Sequence, residues 1–560
     1  MKSGGSSFFR PLRFYCLLAV FVVVILALLF RMFYLTVVER DFLLNQSNLR
    51  TERVVPTPAY RGMLLDRNGQ RLAVSTPVDS VWVNPHVFDS TPDNIFQLSQ
   101  VLQISPTDFG KLLAKNAKKY FLYVKRDVPD NIADQVKALN LPGVYFQQSY
   151  QRYYPEADAT SQLLGFTNVD NQGQDGLELA FNSILRGHPG KEKVLKDRLG
   201  QTVAVLNVLK TAESGKNVTL SIDTRLQYLA YHTLIDTVNE YDADSGSVII
   251  MDPRNGEILA MANAPSYDPN HRTGSPDASY RNRAVTDVYE PGSTMKTFSI
   301  ASALSTGKFT PDSKIDTTSD GVYRVGHHTI RDDTKNGVIT VTKILQVSSN
   351  IGATKITLAS PPEQLLNFLH TMGFAQKPGG EFPGQSAGFI PHYKHWSDFE
   401  LATLSFGYGI DATPLQLARA YSAIANGGHQ CPITVIKRTQ APVCPQIMSP
   451  QLANQMLTMM QAVLATGGTG TLARIKGYHV AGKTGTSYIA KPGGGYYKDE
   501  YNSSFVGIAP ATNPQLEVLV LIRNPHHQHF GAIVAAPAVQ KILSGALRIL
   551  NIPPDDLGSS

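Results

Sequence analysis

Three short strings, Ser293-Thr294-Met295-Lys296, Ser348-Ser349-Asn350 and Lys483-Thr484-Gly485-Thr486, follow one another through the second half of this 560-residue chain. No other feature restricts the fold as much, because the three make chemical sense only where the chain brings them to one spot. A serine hydroxyl attacks a carbonyl only when a neighbouring group takes its proton. Ser293 and Lys296 are one helical turn apart, so a helix sets the amine beside the hydroxyl. Ser348 and Asn350 add a second hydroxyl and an amide. Lys483 adds a cation, and Thr484, Gly485 and Thr486 continue it as a strand able to align a peptide substrate. Together the strings specify an acyl-transfer site.

Alone, the serine-lysine spacing is weak, and it recurs at Ser305-Thr-Gly-Lys308. That second copy falls where a helix begun at Ser293 should end, with Gly307 as its stop, and reads as a C-terminal cap. The first copy follows Glu290-Pro291-Gly292, turn chemistry that puts Ser293 at a helix start. Met295, Phe298, Ala301 and Leu304 then give that helix an apolar face.

The N-terminus decides where such chemistry takes place. Phe14 to Phe30 contains neither charge nor glycine, and Met32 to Val38 continues the run past Arg31. About 20 helical residues cross a bilayer, so Leu12 to Val38 suffices with some tilt. Lys2, Arg10 and Arg13 precede the run with no acid among them, which keeps residues 1–11 in the cytoplasm and exports the rest. A cleaved signal peptide would have a shorter apolar region and a small-residue site, whereas Arg31-Met-Phe-Tyr34 follows here. Arg31 snorkels to the outer interface or marks a helix-helix contact.

The remainder is too long for one core and implies two or more domains. Charged residues make up 17% of the chain, with net charge +6 and no long run of like charge. Nothing there points to nucleic acid, while mild basicity suits anionic lipid. Residues 40–215 read as mixed and strand-rich, with strands at Ser80–Asn84 and Gly143–Gln147 and helices at Asp130–Leu139 and Leu177–Leu185. Beyond Asp223 a helix at Leu226–Val238 precedes a hairpin, Ser247–Asp252 and Glu257–Asn263, turned by Pro253-Arg-Asn-Gly256. Helices follow at 293–305, 341–347, 351–358 and 414–426, and strands at 503–508 and 516–522. Thr413, Pro414, Gln416 and Gly427 mark the start and stop of the helix at 414.

Further segments carry a family likeness: Arg61-Gly-Met-Leu-Leu-Asp66-Arg67-Asn-Gly69, Arg152-Tyr-Tyr-Pro155, Gly173-Gln-Asp-Gly176-Leu-Glu178, Ser221-Ile-Asp223 with Leu226-Gln227, and Phe406-Gly-Tyr-Gly409 before Thr413-Pro-Leu-Gln-Leu-Ala418. With the three strings they make the chain resemble the class B penicillin-binding proteins, most closely the cell-division transpeptidases of the penicillin-binding protein 3 type. The resemblance covers nearly the whole chain. It implies a cytoplasmic tail (1–11), a single transmembrane helix (12–38), an elongated mixed α+β pedestal without catalytic residues (39–215), an α/β transpeptidase domain with a five-stranded antiparallel sheet between helices (216–550), and a C-terminal tail (551–560).

The resemblance also implies the reaction, D,D-transpeptidation of peptidoglycan stem peptides in septal wall synthesis at the bacterial inner membrane, blocked covalently by β-lactams. Ser293 attacks the carbonyl between two terminal D-alanines, and an amine of a second stem takes the acyl group. Lys296 is the base, its pKa lowered by Lys483 and by desolvation. Ser348 relays the proton, and Asn350 bonds substrate and orients Lys296. The N–H groups of Ser293 and Thr486 form the oxyanion hole. Lys483, Thr484 and Thr486 hold the substrate carboxylate beside Gly485. No cofactor or metal is implied. A SEDS-type glycosyltransferase and other division proteins are the implied membrane partners.

Rival readings remain. An elongation-specific class B enzyme differs least from this one. A β-lactamase or carboxypeptidase would hand the acyl group to water and needs no anchor and pedestal. A penicillin-sensing receptor needs cytoplasmic signalling segments. His526-His-Gln-His529 resembles a metal cluster but follows Pro525 in a loop. His327-His328 reads as a strand pair, and Lys491-Pro-Gly-Gly-Gly495 as a hairpin tip.

The chain has three cysteines. Cys16 lies in the membrane run, while Cys431 and Cys444 fall on the exported side, where disulfides persist. They flank Ile433–Ile436 and the turn-prone Thr439–Pro442, so a hairpin brings them within bridging range; the alternative is two separate thiols on opposite faces.

Overall fold

The computed structural model describes residues 11–197, 202–272, 274 and 276–556. Residues 1–10 of the expected cytoplasmic tail and 557–560 of the expected C-terminal tail lie outside them. The chain forms two compact units, one of Met1–Ala59, Val78–Ser149 and His188–Glu213, the other of Tyr60–Pro77, Tyr150–Gly187 and Ser214–Ser560.

The smaller unit begins with the apolar run. Pro11–Phe33 is α-helical, Tyr34–Val38 continues it as one π turn, and Arg40–Thr51 forms another helix. Leu12–Val38 has mean hydropathy 2.9 and none of it is buried against the protein. At 1.5 Å rise per residue it exceeds the roughly 30 Å of a hydrocarbon core, as a single-pass anchor requires. The helix at Arg40–Thr51 was not expected, since Asn45-Gln46-Ser47-Asn48 carries no apolar period. A three-stranded antiparallel sheet of Glu52–Thr57, Gly190–Lys196 and Thr202–Lys210 follows. Val81, Val83, Leu98, Leu102, Phe109 and Val136 make a separate small core. Two of the helices around it, Pro92–Leu102 and Pro106–Lys115, start at Thr91 and Ser105 caps with proline in the first turn. The expected helix at 130–139 is present as Asp130–Ala138.

The larger unit is built on an antiparallel five-stranded sheet. Its strands are β1 (Ser245–Asp252), β2 (Glu257–Ala264), β3 (Ala481–Ala490), β4 (Tyr496–Ala509) and β5 (Leu516–Arg523), in the spatial order β2-β1-β5-β4-β3. Both β1 and β2 are buried at every position, which explains their near-continuous apolar sequence. Four helices pack on the sheet, α1 (Thr224–Glu240), α5 (Pro414–Ala425), α6 (Pro450–Leu464) and α7 (Gly531–Ile549), while α2 (Lys296–Ser305), α3 (Val341–Val347) and α4 (Asn350–Leu358) pack on other helices of the unit. The Thr413/Gln416 pair forms the reciprocal cap expected at the start of α5.

Tyr60–Pro77 and Tyr150–Gly187 cluster with this larger unit. The physical reason is burial: Leu64, Leu72, Leu163, Leu164 and Phe181 share one core with Leu226 and Ile249. A buried ion cluster reinforces it. Arg61 and Arg152 both bond Glu178, with Arg152 Nε 2.6 Å from Oε1, and all three are buried. The helix expected over 177–185 breaks at Phe181 into Gly176–Ala180 and Asn182–Leu185. The break turns Asn182 Oδ1 toward Arg61 Nη1 and the Gly173 N–H.

His327 and His328 are not a strand pair: Val325 pairs with His328, leaving His327 in the turn of a small hairpin, Val322–Val325 with His328–Arg331. Cys431 and Cys444 are bridged, with Cα atoms 4.2 Å apart. The bridge does not close a regular hairpin, because Ile433, Thr434 and Ile436 pair instead with Gly379, Glu257 and Leu220. It clips the neck of a loop where His429 meets Gln446.

Candidate active site

Ser293 lies in a 3-10 turn, Gly292–Met295, that feeds directly into α2. Two glycines allow the turn and β3 to touch. Gly292 has φ 57°, and a Cβ there would meet Thr486 O at 2.7 Å. A Cβ on Gly485 would meet Ser504 Oγ at 2.3 Å and Thr294 Cγ2 at 2.8 Å. A side chain at either place would push the first and third strings apart, which accounts for glycine at Gly485. The second string sits between α3 and α4, where Ser348 adopts a left-handed φ of 61°, uncommon for a residue with a Cβ.

The three strings converge on Lys296. Its Nζ donates to Ser293 Oγ at 2.9 Å, to Ser348 Oγ at 3.1 Å and to Ser348 O. Lys483 Nζ reaches the same Ser348 Oγ at 3.0 Å. Both lysines are buried, and burial is the main cause that brings Lys296 down to about 8, against an opposing pull from Asp332 and Asp333. The sequence reading gave Lys483 a share in that lowering, but burial leads. Lys483 is itself pushed well below its ordinary value by burial and then by the charge of Lys296. Near neutral pH a fraction of Lys296 is therefore the free amine a base must be.

On β3, Thr484 Oγ1 lies 3.0 Å from Thr469 Oγ1 and 3.3 Å from Lys483 Nζ, while Thr486 Oγ1 accepts from the Gly531 N–H at 3.1 Å. Alternation along the strand puts Thr484 and Thr486 on one face. β3 is an edge of the sheet, so one side of its backbone is open to an added strand. Asn350 differs from expectation. Its Nδ2 donates to Arg331 O at 2.8 Å, and Lys296 is held by Ser348 instead.

Sequence reasoning missed two acidic residues. Glu290, read only as turn chemistry, is a buried carboxyl that accepts from the Gly409 N–H at 2.7 Å and Tyr496 OH at 3.0 Å. Burial raises its pKa, against those two bonds. Asp332 holds the second string and carries no motif. The loop histidines pair elsewhere: His526 Nε2 is 3.6 Å from Asp244, and His529 stacks on Tyr501 at 4.0 Å. Among the described residues no three metal-ligating side chains cluster. Ser305-Thr-Gly-Lys308 ends α2, with Ser305 Oγ bonded to Ser302 O and Lys308 Nζ to Ala359 O.

Comparison with known proteins agrees with this geometry. Residues 246–544 match the penicillin-binding protein transpeptidase domain, and residues 56–220 match the penicillin-binding protein dimerisation domain. The probable peptidoglycan D,D-transpeptidase PbpC of Pseudomonas aeruginosa is 40% identical over 99% of this chain and 98% of its own. The peptidoglycan D,D-transpeptidase FtsI of Escherichia coli is 38% identical over 97% and 93%. Among solved structures, the transpeptidase domain of Burkholderia pseudomallei penicillin-binding protein 3 is 39% identical, with TM-score 0.55 over 60% of this chain and 97% of that one. Penicillin-binding protein 3 of Mycobacterium tuberculosis, complexed with aztreonam, is 26% identical, with TM-score 0.70 over 90% and 98%. With matches across both halves, a serine held by a buried lysine and a five-stranded antiparallel sheet behind it, this chain belongs to the class B penicillin-binding proteins, the serine-type peptidoglycan D,D-transpeptidases.

Proposed function

We propose that Ser293 is the nucleophile with which this transpeptidase cross-links stem peptides at the division septum. The observation that carries the reading is Lys296 Nζ at 2.9 Å from Ser293 Oγ and 3.1 Å from Ser348 Oγ. Neutral Lys296 takes the Ser293 proton as Oγ bonds to the carbonyl carbon between two terminal D-alanines. The N–H groups of Ser293 and Thr486 hold the oxyanion. As the C–N bond breaks, Lys296 returns the proton through Ser348 to the departing D-alanine amine. A second stem's amine then attacks the ester, Lys296 accepts its proton, and as the C–O bond breaks Lys296 gives that proton to Ser293 Oγ, restoring the hydroxyl and the free amine. The energy of the original peptide bond is kept in the acyl ester, so the reaction is self-sufficient.

Lys483, Thr484 and Thr486 bind the terminal carboxylate of the donor, and the edge of β3 pairs with its backbone. Gly485 lets the strand approach the nucleophile turn. Asn350, tied to Arg331, offers its amide to the donor peptide. β-Lactams enter by the same attack and stay as penicilloyl esters.

Residues 1–11 stay in the cytoplasm, Leu12–Val38 spans the inner membrane and the rest is periplasmic. Residues 39–215 serve as the pedestal and 216–550 as the catalytic domain. A SEDS-type glycosyltransferase binds through the membrane helix and supplies the glycan strands. A purified cross-linking assay tests the reading: with donor and acceptor stem peptides, the wild type releases D-alanine and forms a dimer, and Ser293→Ala does neither. Dimer formation by the alanine variant would refute it.

A further inference from the structure

Asp332 lies directly after the hairpin strand His328–Arg331, in none of the three strings that make the site. Its carboxylate bonds the second string and the residue that follows it. Oδ2 accepts from Ser349 Oγ, and Oδ1 accepts from the Ile351 N–H at 2.9 Å. Ser349 Oγ in turn accepts from the Gly352 N–H at 2.9 Å, so the carboxylate and the serine cap the start of α4 together. The preceding residue joins in, with Arg331 O accepting from Asn350 Nδ2 at 2.8 Å. Three consecutive residues after Ser348 are thus tied to two consecutive residues at the end of one hairpin.

Those ties bear on Ser348 itself. Ser348 is a non-glycine residue at φ 61°, a conformation that persists only where its surroundings enforce it. Ser349 is pinned on its far side by Asp332, and its N–H donates to Ile344 O at 3.0 Å on the near side. Between these anchors Ser348 presents both its carbonyl and its hydroxyl to Lys296 Nζ. The hairpin is anchored in turn, since Val325 and Ile330 are buried against Ile351 of α4 and Ala402.

We propose that Asp332 is a positioning residue for acyl transfer, holding the Ser348–Ile351 turn so that Ser348 meets Lys296, and setting a negative charge against the buried Lys296. This rests on the reading of Lys296 as the base. The charged groups that face Lys296 are Lys483 from β3, and Asp332 and Asp333 from the end of the hairpin. Both carboxylates favour its protonated form and oppose the effect of burial. Removing one should therefore make the free amine appear at lower pH.

Three substitutions in the full-length, detergent-solubilised protein separate charge from position, with second-order acylation by a fluorescent penicillin measured from pH 6 to 10. In Asp332→Asn the amide can still accept from Ile351 and bond Ser349, so acylation should remain near the wild-type plateau. The midpoint of its pH profile should fall by roughly half a unit or more. Asp333→Asn should move the midpoint the same way, because Asp333 also bears on Lys296. Asp332→Ala loses both functions, and its plateau rate should drop by about tenfold or more with the midpoint still lowered. A role confined to stability would lower the melting temperature without moving any midpoint. An unmoved midpoint in Asp332→Asn, or a wild-type plateau in Asp332→Ala, overturns the proposal. Absence of labelling in the wild type would instead overturn the reading of Ser293 and Lys296 on which it rests.

Discussion

Lys296 and Lys483 share one hydroxyl: their Nζ atoms lie 3.1 and 3.0 Å from Ser348 Oγ. Two buried ammonium groups so placed cannot both be charged without a large cost. Both are lowered, with burial leading in each case. Ser348 Oγ thus sits between the two like charges, where the proposed reaction uses it as a proton path to the outgoing amine. Replacing Ser348 by Ala should slow acylation by about 10²–10⁴-fold while leaving the fold in place, a range typical of lost acid–base catalysis. Stopped-flow labelling at fixed pH measures it.

The value of about 8 for Lys296 fixes a pH dependence. Acylation needs the free amine, so its rate should climb through pH 8 and level off above it. Stability follows the same group with a definite sign. The folded pKa lies below the unfolded value of about 10.5, so the folded protein binds fewer protons between those limits. The contribution is fully favourable above the unfolded value and is lost as pH falls through about 8, by roughly 3 kcal/mol at most. Lys296→Met should abolish acylation yet unfold at a similar or higher denaturant concentration at pH 7. Urea titrations across pH 7 to 10 check both.

Glu178 carries two guanidinium groups, those of Arg61 and Arg152, with all three side chains buried. Removing the carboxylate strands both cations. Glu178→Ala should therefore cost about 3–5 kcal/mol, read as a drop in the denaturation midpoint of the protein. A loss below 1 kcal/mol would mean that water or another anion replaces the carboxylate.

The Cys431–Cys444 bridge closes a sequence separation of 13. Chain-entropy arguments give such a loop about 3 kcal/mol, less if the reduced state keeps structure. Cys431→Ser with Cys444→Ser should lower the melting temperature and leave acylation unchanged, because neither residue touches the lysine pair. Thiol counting on the denatured, unreduced protein should find neither Cys431 nor Cys444 free.

Much of this was legible in the residues. The hairpin of β1 and β2 follows from two apolar runs around Pro253-Arg-Asn-Gly256. The start of α5 follows from Thr413, Pro414 and Gln416, all local signals. What stayed hidden depends on tertiary placement. Asp332 caps a helix that begins 18 residues later, so no spacing rule links it to Ser349. Glu290 looks like a turn residue until Gly409 and Tyr496 fold back on it. The helix α7 escaped because Pro537 lies inside it, a residue that ordinarily marks an end. Leu64 and Leu163, early in the sequence, are buried in the larger core, a placement that no local signal gives.

The membrane helix supplies a cellular prediction. Arg31 sits over the Tyr34 ring at 5.5 Å, one turn before the π segment Tyr34–Val38. If this helix docks a glycosyltransferase, exchanging Leu12–Val38 for an unrelated span should impair septal growth and leave penicillin labelling unchanged. Full function after the exchange would make the helix a passive tether. Depletion separates the two class B roles, since filaments indicate division and rounded cells indicate elongation.

Intact-mass spectrometry after exposure to a penicillin tests the central claim, that Ser293 is the acyl acceptor, most directly. The account predicts one penicilloyl adduct on the wild type and on Ser305→Ala, persisting for hours because the ester is kept from water. Ser293→Ala should show none despite an unchanged melting temperature. An adduct on folded Ser293→Ala, or rapid turnover of the wild-type adduct, would contradict it.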